Sequence, residues 1–199
     1  IYVITIRIAS LFNSKAKLWI NDRKNVFNKL RKYIQKDVPI VWFHCASLGE
    51  FEQGKPIIEA YKSKHPTHQI LLTFFSPSGY QINKKKTLAK WVFCLPADTK
   101  SNAKKFINIV NPVKAIFIKY EFWFNYMNEL NRKNIPFYSV SAIFRENQYF
   151  FKYSWFAKQL KNVNHFFVQD KKSQELINSI GISNVTISGD TRFDNVITN

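Results

Sequence analysis

Val38-Pro39-Ile40-Val41-Trp42-Phe43-His44-Cys45-Ala46-Ser47-Leu48-Gly49-Glu50 is the stretch from which the rest of the chain can be ordered. Its first half is apolar without alternation, the pattern of a strand buried on both faces. Its second half breaks at Ser47 and Gly49, and helical spacing follows over 51–64. A strand that turns into a helix with a carboxylate at the helix mouth is how open α/β sheets present a reactive group. Glu50 is therefore the candidate catalytic residue.

The same grammar repeats along the chain. Strand-like runs fall at 40–44, 70–75, 91–95, 114–118, 137–140, 165–169 and 185–188. Helical patterns lie near 50–64, 78–88, 99–110, 122–133, 150–161 and 171–179, with Pro112, Pro136 and Gly181 punctuating them. Apolar strands joined by helices predict an α/β fold with a doubly wound, Rossmann-like parallel sheet over 37–189. Ligands of such sheets bind at the carboxyl ends of the strands. Ser47, Glu50, Ser76, Ser78, Asp98, Glu121, Ser141, Arg145, Asp190 and Arg192 all follow strands and are expected along one edge.

Of the 199 residues, 30 are Lys or Arg and 13 are Asp or Glu, a formal net charge of +17 that favours an anionic partner. A nucleic acid would need basic and aromatic residues gathered on one groove, and here they are spread through the helices. Cys45 and Cys94 are the two cysteines, which argues against a disulfide framework. No zinc spacing, P-loop or GxGxxG occurs, so neither a metal site nor a cofactor is assigned. The segment 1–12 is apolar but too short to span a membrane, for which about 20 residues are needed. Residues 15–37 follow with eight Lys/Arg against two Asp. Apolar then basic suits an interfacial anchor over 1–36 on an anionic leaflet, and equally an amphipathic helix packed on the domain. The first residue is Ile rather than Met, which reads as a fragment of a longer chain.

Each candidate has two readings. Ser47-Leu48-Gly49-Glu50 is a capping box, in which Ser caps the helix and Glu reaches back to an amide; it equally places a general base at a cleft edge. Ser76-Pro77-Ser78-Gly79 opens a helix whose free amides suit a phosphate or sugar oxygen, or is an ordinary helix start. Glu121 beside Trp123 suits sugar recognition, carboxylate to hydroxyls and ring to sugar face. It also suits a first helical turn over a core Trp. Arg145 offers an anion contact or belongs to a solvated loop. Gly189-Asp190-Thr191-Arg192-Phe193-Asp194 is a frayed tail or the start of a linker, 190–199, to a second domain. The four histidines are scattered, without partners that spacing reveals, and His44-Cys45 is no dyad because strand neighbours face opposite ways.

Ser47-Leu48-Gly49-Glu50, Ser76-Pro77-Ser78-Gly79, Glu121-Phe122-Trp123-Phe124-Asn125 and Gly189-Asp190-Thr191-Arg192-Phe193-Asp194 occur in the order seen in 3-deoxy-D-manno-octulosonic acid (Kdo) transferases. The chain resembles the amino-terminal half of such an enzyme, in the form found in Bacteroidetes-like bacteria. Where enterobacterial forms read Glu-Leu-Trp-Pro-Asn, Phe124 stands in place of the Pro. The resemblance implies the amino-terminal domain of a two-domain GT-B glycosyltransferase and no cofactor. It implies transfer of Kdo from CMP-Kdo to the phosphorylated lipid A precursor (lipid IVA), with inversion, at the cytoplasmic face of the bacterial inner membrane. Glu50 falls on the family's general base and Glu121 on its second Glu, near the acceptor. Arg192 falls on a basic position near the interdomain cleft. Ser47, Gly49, Ser76, Ser78, Trp123 and Arg145 complete the expected acceptor-binding set. The CMP-Kdo site would lie in the missing carboxyl-terminal domain, so this piece alone is expected to be inactive. The competing readings are another GT-B lipid glycosyltransferase, a nucleotide-sugar epimerase and a basic nucleic-acid-binding α/β domain.

Overall fold

Residues 40–45 form a strand buried at every position, and alternate side chains of that strand feed two separate cores. Ile40 and Trp42 join a large cluster with Phe106, Phe117, Tyr126 and Phe137. Val41, Phe43 and Cys45 join a second one with Phe51, Ile58, Leu72, Phe74 and Ile118. Burial on both faces explains why the sequence shows no alternation there.

The structure is a computed structural model and describes residues 2–35, 37–84, 87–119 and 122–190. Its strands are β1 (Ile40–Cys45), β2 (Gln69–Phe74), β3 (Trp91–Cys94), β4 (Lys114–Ile118), β5 (Phe137–Ala142), β6 (His165–Val168) and β7 (Val185–Ile187). Its helices are α1 (Tyr2–Ala9), α2 (Ser14–Arg23), α3 (Val26–Tyr33), α4 (Leu48–Lys64), α5 (Pro77–Asn83), α6 (Lys100–Val110), α7 (Phe124–Arg132), α8 (Tyr149–Lys152), α9 (Ser154–Leu160) and α10 (Lys171–Ser179). The strands make one parallel sheet in the order β3-β2-β1-β4-β5-β6-β7. The order reverses at β1, which pairs with β2 on one side and β4 on the other. The crevice beyond the carboxyl ends of β1 and β4 is thus the topological switch point, where ligands of doubly wound sheets bind.

The seven expected strands are all present, with ends shifted by up to two residues. The helix expected over 150–161 is two, broken at Tyr153, whose backbone is extended. The aromatic side chains explain the break. Phe151 packs on Phe144, while Trp155 and Phe156 pack on Phe124. One straight helix cannot serve both directions.

The basic stretch ahead of 37 divides in the same way. Val26, Leu30 and Ile34 are buried in the large core, so α3 packs on the sheet domain one helix earlier than the boundary drawn at 37. Arg23, at the end of α2, donates from Nε to the carbonyl of Leu95 (2.8 Å) and from Nη2 to that of Phe75 (2.6 Å). Ile8, Leu11 and Phe12, in and just after α1, are exposed apolar side chains. Among the described residues no helix is long and apolar enough to cross a membrane.

Candidate active site at the switch point

Ser47 caps α4 with an extended backbone, and its Oγ accepts from the Glu50 amide at 3.4 Å. Glu50 Oε2 accepts from the amide of Ala46 at 2.5 Å. The capping contact is therefore real but displaced by one residue: the carboxylate reaches past Ser47 to the residue before it. Glu50 is only 8% exposed. Burial pushes its carboxyl above the ordinary 4.5, with the Ala46 amide and the positive charge of Lys119 pulling the other way. Among the described residues Oε1 accepts no hydrogen bond. One oxygen is tied to the loop and the other is not.

The loop after β2 is stitched to this one. Ser76 donates its amide to the Ala46 carbonyl (2.7 Å), and Ser76 Oγ and Ser78 Oγ lie 2.6 Å apart. Gly79 lets α5 come this close, because a Cβ there would sit 2.5 Å from Phe74 Cδ1 and 3.2 Å from the Leu48 nitrogen. Gly54 does the same for α4 against β4, where an added Cβ would meet Ile118 Cγ1 at 2.9 Å. Gly49 is exposed, and a Cβ on it would meet nothing within 4 Å, so space is open above the first turn of α4.

On the other side of β1 stands Trp123, partly exposed just ahead of α7. Its indole N–H donates to His44 Nε2 at 3.0 Å, and its ring lies against Phe75 with centroids 4.6 Å apart. His44 is fully buried at the end of β1, and its Nδ1 lies 2.9 Å from Thr73 Oγ1. Burial drives the imidazole down to about 3. His44 is the site residue that sequence reasoning passed over. The signal was available: β1 and β4 are the strands beside the switch point, and His44 and Trp123 lie near their carboxyl ends.

Other expected residues fall differently. Arg145 is exposed in the turn before α8, and among the described residues no hydrogen bond or ion pair joins it to the Glu50 group. Glu121 and Arg192 lie outside the described residues. Asp98 is turned to structure: its two carboxylate oxygens accept from the amides of Asn125 and Tyr126, each at 3.2 Å, and so cap α7. Among the described residues no three His, Cys, Asp or Glu side chains come together as a metal site would require. A groove of about 580 Å³ between α1–α3 and the start of α6, lined by Trp19, Arg23 and Phe27, contains none of the candidate residues.

A seven-stranded parallel sheet with helices on both faces and polar loops at its switch point defines a Rossmann-like domain of the GT-B kind. Solved structures agree: UDP-GlcNAc 2-epimerase from Neisseria meningitidis bound to UDP-GlcNAc superposes with a TM-score of 0.61 at 14% identity. That match covers 80% of this chain and 49% of the other. The family model described as 3-deoxy-D-manno-octulosonic-acid transferase (kdotransferase) matches residues 20–195, and the chain belongs to this family. A bifunctional glycosyltransferase/methyltransferase of Fusobacterium nucleatum is 28% identical over 174 residues, covering 84% of this chain and 26% of that protein. A 3-deoxy-D-manno-octulosonic acid transferase of Haemophilus influenzae is 33% identical over 104 residues, 51% of this chain and 24% of that protein. The chain thus spans about a quarter of the length of these two relatives.

Proposed function

We propose that this chain is the acceptor-binding half of a transferase that moves Kdo from CMP-Kdo to a 6-hydroxyl of the phosphorylated glucosamine disaccharide of lipid IVA. The observation that carries the reading is Glu50, buried at the switch point with one carboxylate oxygen tied to Ala46 and the other accepting no hydrogen bond among the described residues. Family membership supports the sugar and the reaction class.

In the proposed chemistry the acceptor hydroxyl lies against Glu50 Oε1. As its oxygen attacks the anomeric carbon of Kdo, Glu50 takes the hydroxyl proton. The bond from that carbon to the CMP phosphate breaks on the opposite face, CMP leaves with the electron pair, and the configuration inverts. A raised carboxyl value suits this task, because a stronger base takes the proton more readily, and the positive charge of Lys119 favours the ionised form. Ser47, Gly49, Ser76, Ser78 and Trp123 form the acceptor ledge, with Glu121 and Arg145 as further contacts. By the family pattern Arg192 is assigned to the interdomain cleft, toward a donor half that lies in the remainder of a longer protein. The exposed apolar side chains in and just after α1 and the basic surplus over 1–36 hold the domain on the anionic cytoplasmic face of the inner membrane.

The test is an assay of the complete protein with CMP-Kdo and a tetraacylated lipid A precursor, wild type beside Glu50→Gln. Product from the wild type and none from the variant is the expected result. A wild type that makes no product overturns the assignment, and a fully active variant returns Glu50 to its cap.

A further inference from the structure

We propose that His44 is a positioning residue, which fixes the indole of Trp123 as a rigid platform for the acceptor sugar at the sheet edge that also carries Glu50. The proposal rests on the transferase reading for the ligand, though not for the geometry. An indole nitrogen only donates, so the His44 Nε2 facing Trp123 is the bare, accepting nitrogen. In the neutral ring the proton then sits on Nδ1, which donates to Thr73 Oγ1. The same hydroxyl accepts from Trp42 Nε1 at 2.7 Å, another donor without acceptor capacity. With its lone pairs taken, the Thr73 hydroxyl turns its own proton to the Phe43 carbonyl, 3.4 Å away. A single arrangement of protons satisfies every member of the chain. A second proton on His44 would set two N–H groups against each other at Nε2.

The surroundings keep that second proton away. His44 has no exposed surface, and burial is the main cause that lowers its affinity for a proton, with the charge of Arg23 adding to it and the Thr73 bond opposing. Trp123 is held on its face as well as its edge. Phe75 lies against it, and the Arg23 guanidinium sits over the Phe75 ring at 5.1 Å while bonding the Phe75 carbonyl. An aromatic ring locked on edge and face offers a sugar apolar contact without loss of side-chain freedom on binding. A histidine that only filled the core would need no tautomer and would leave the acceptor unaffected.

Four variants of the complete enzyme test this: His44→Leu, His44→Gln, Trp123→Phe and the His44→Leu/Trp123→Phe double variant. His44→Leu and Trp123→Phe should each raise KM for the acceptor about fivefold, the size of one neutral hydrogen bond, with kcat and the donor KM little changed. His44→Gln, whose side-chain oxygen can accept from the indole, should recover part of the loss. The double variant should be no worse than Trp123→Phe alone. Nitrogen NMR on the 199-residue chain gives a readout free of activity. The Trp123 indole resonance, assigned with Trp123→Phe, should move in His44→Leu, and His44 should show an Nδ1-protonated ring that does not titrate between pH 5 and 8. An unchanged acceptor KM in Trp123→Phe overturns the proposal even if His44→Leu fails to fold; so does an equal rise in donor and acceptor KM. If the wild type makes no product, the transferase reading falls. Calorimetry of the chain with the phosphorylated glucosamine disaccharide then decides the platform: tighter binding by wild type than by Trp123→Phe supports it, and equal or absent binding removes it.

Discussion

Glu50, buried, and Asp98, half-buried, are carboxylates that follow strands at the same edge of the sheet, and desolvation raises both above their ordinary values. Asp98 spends both oxygens on the first amides of α7. Glu50 spends one on Ala46. Their surroundings differ accordingly: Asp98 is held by hydrogen bonds from Asn125 and Tyr126, whereas Glu50 lies below the first turn at Gly49, with the charge of Lys119 nearby. An acid at a helix start is a cap by default, and it becomes a chemical group when one oxygen is left over. Hydrogen-bond accounting, more than burial or shifted proton affinity, separates the two.

The largest expected effect tests that separation directly. Glu50→Gln should lower kcat of the complete enzyme by about 10²–10⁴-fold, the usual worth of a general base, while thermal unfolding of the chain shifts little. Asp98→Asn should do the reverse, with most activity kept per folded molecule and a lower unfolding temperature. Equal losses of activity in both would break the comparison.

Acid should destabilise the chain through the His44 network. His44 holds its proton at about 3 when folded against 6.5 ordinarily. That depressed value gives stability present above pH 6.5, which falls by roughly 1.4 kcal/mol per pH unit as the pH drops toward 3. Glu50 and Asp98, with raised values, run the other way: their contribution is complete below the ordinary carboxylate value and lost as pH rises through the folded one. Urea unfolding at about pH 7 and pH 5 should show wild type weakening in acid and His44→Gln weakening less.

Gly79→Ala should cost about 1–3 kcal/mol, because the methyl would press on Phe74 and on the Leu48 backbone, which carries the Glu50 turn. It sharpens the comparison, since activity should fall with stability here and not in Asp98 variants. Smallest is Asp98→Ala, expected to destabilise by about 1–2 kcal/mol through the lost cap, read by chemical denaturation.

The strands were legible because a sheet covered on both faces demands unbroken apolar runs, and 40–45 shows one. Ser47 as a cap was legible too, since capping needs only the local spacing of oxygen and amide. The reach of Glu50 to Ala46 instead of Ser47 was not, because a side chain's rotamer answers to what packs over it. The break at Tyr153 stayed hidden for a similar reason: both halves have helical composition, and distant rings at Phe144 and Phe124 pull them apart. The basic run over 15–37 announced its charge, while its buried side, with Val26, Leu30 and Ile34, needed the core to be seen.

By itself the sequence determined the parallel α/β plan, the edge on which the candidate residues lie and the ordered motifs that mark the family. These follow from periodicity and local chemistry, which are properties of neighbours in the chain. Only the tertiary structure decided that Asp98 is consumed and Glu50 is not, and that His44 meets Trp123 across 79 positions. Which donor meets which acceptor depends on strand order and register, and the fold sets those as a whole.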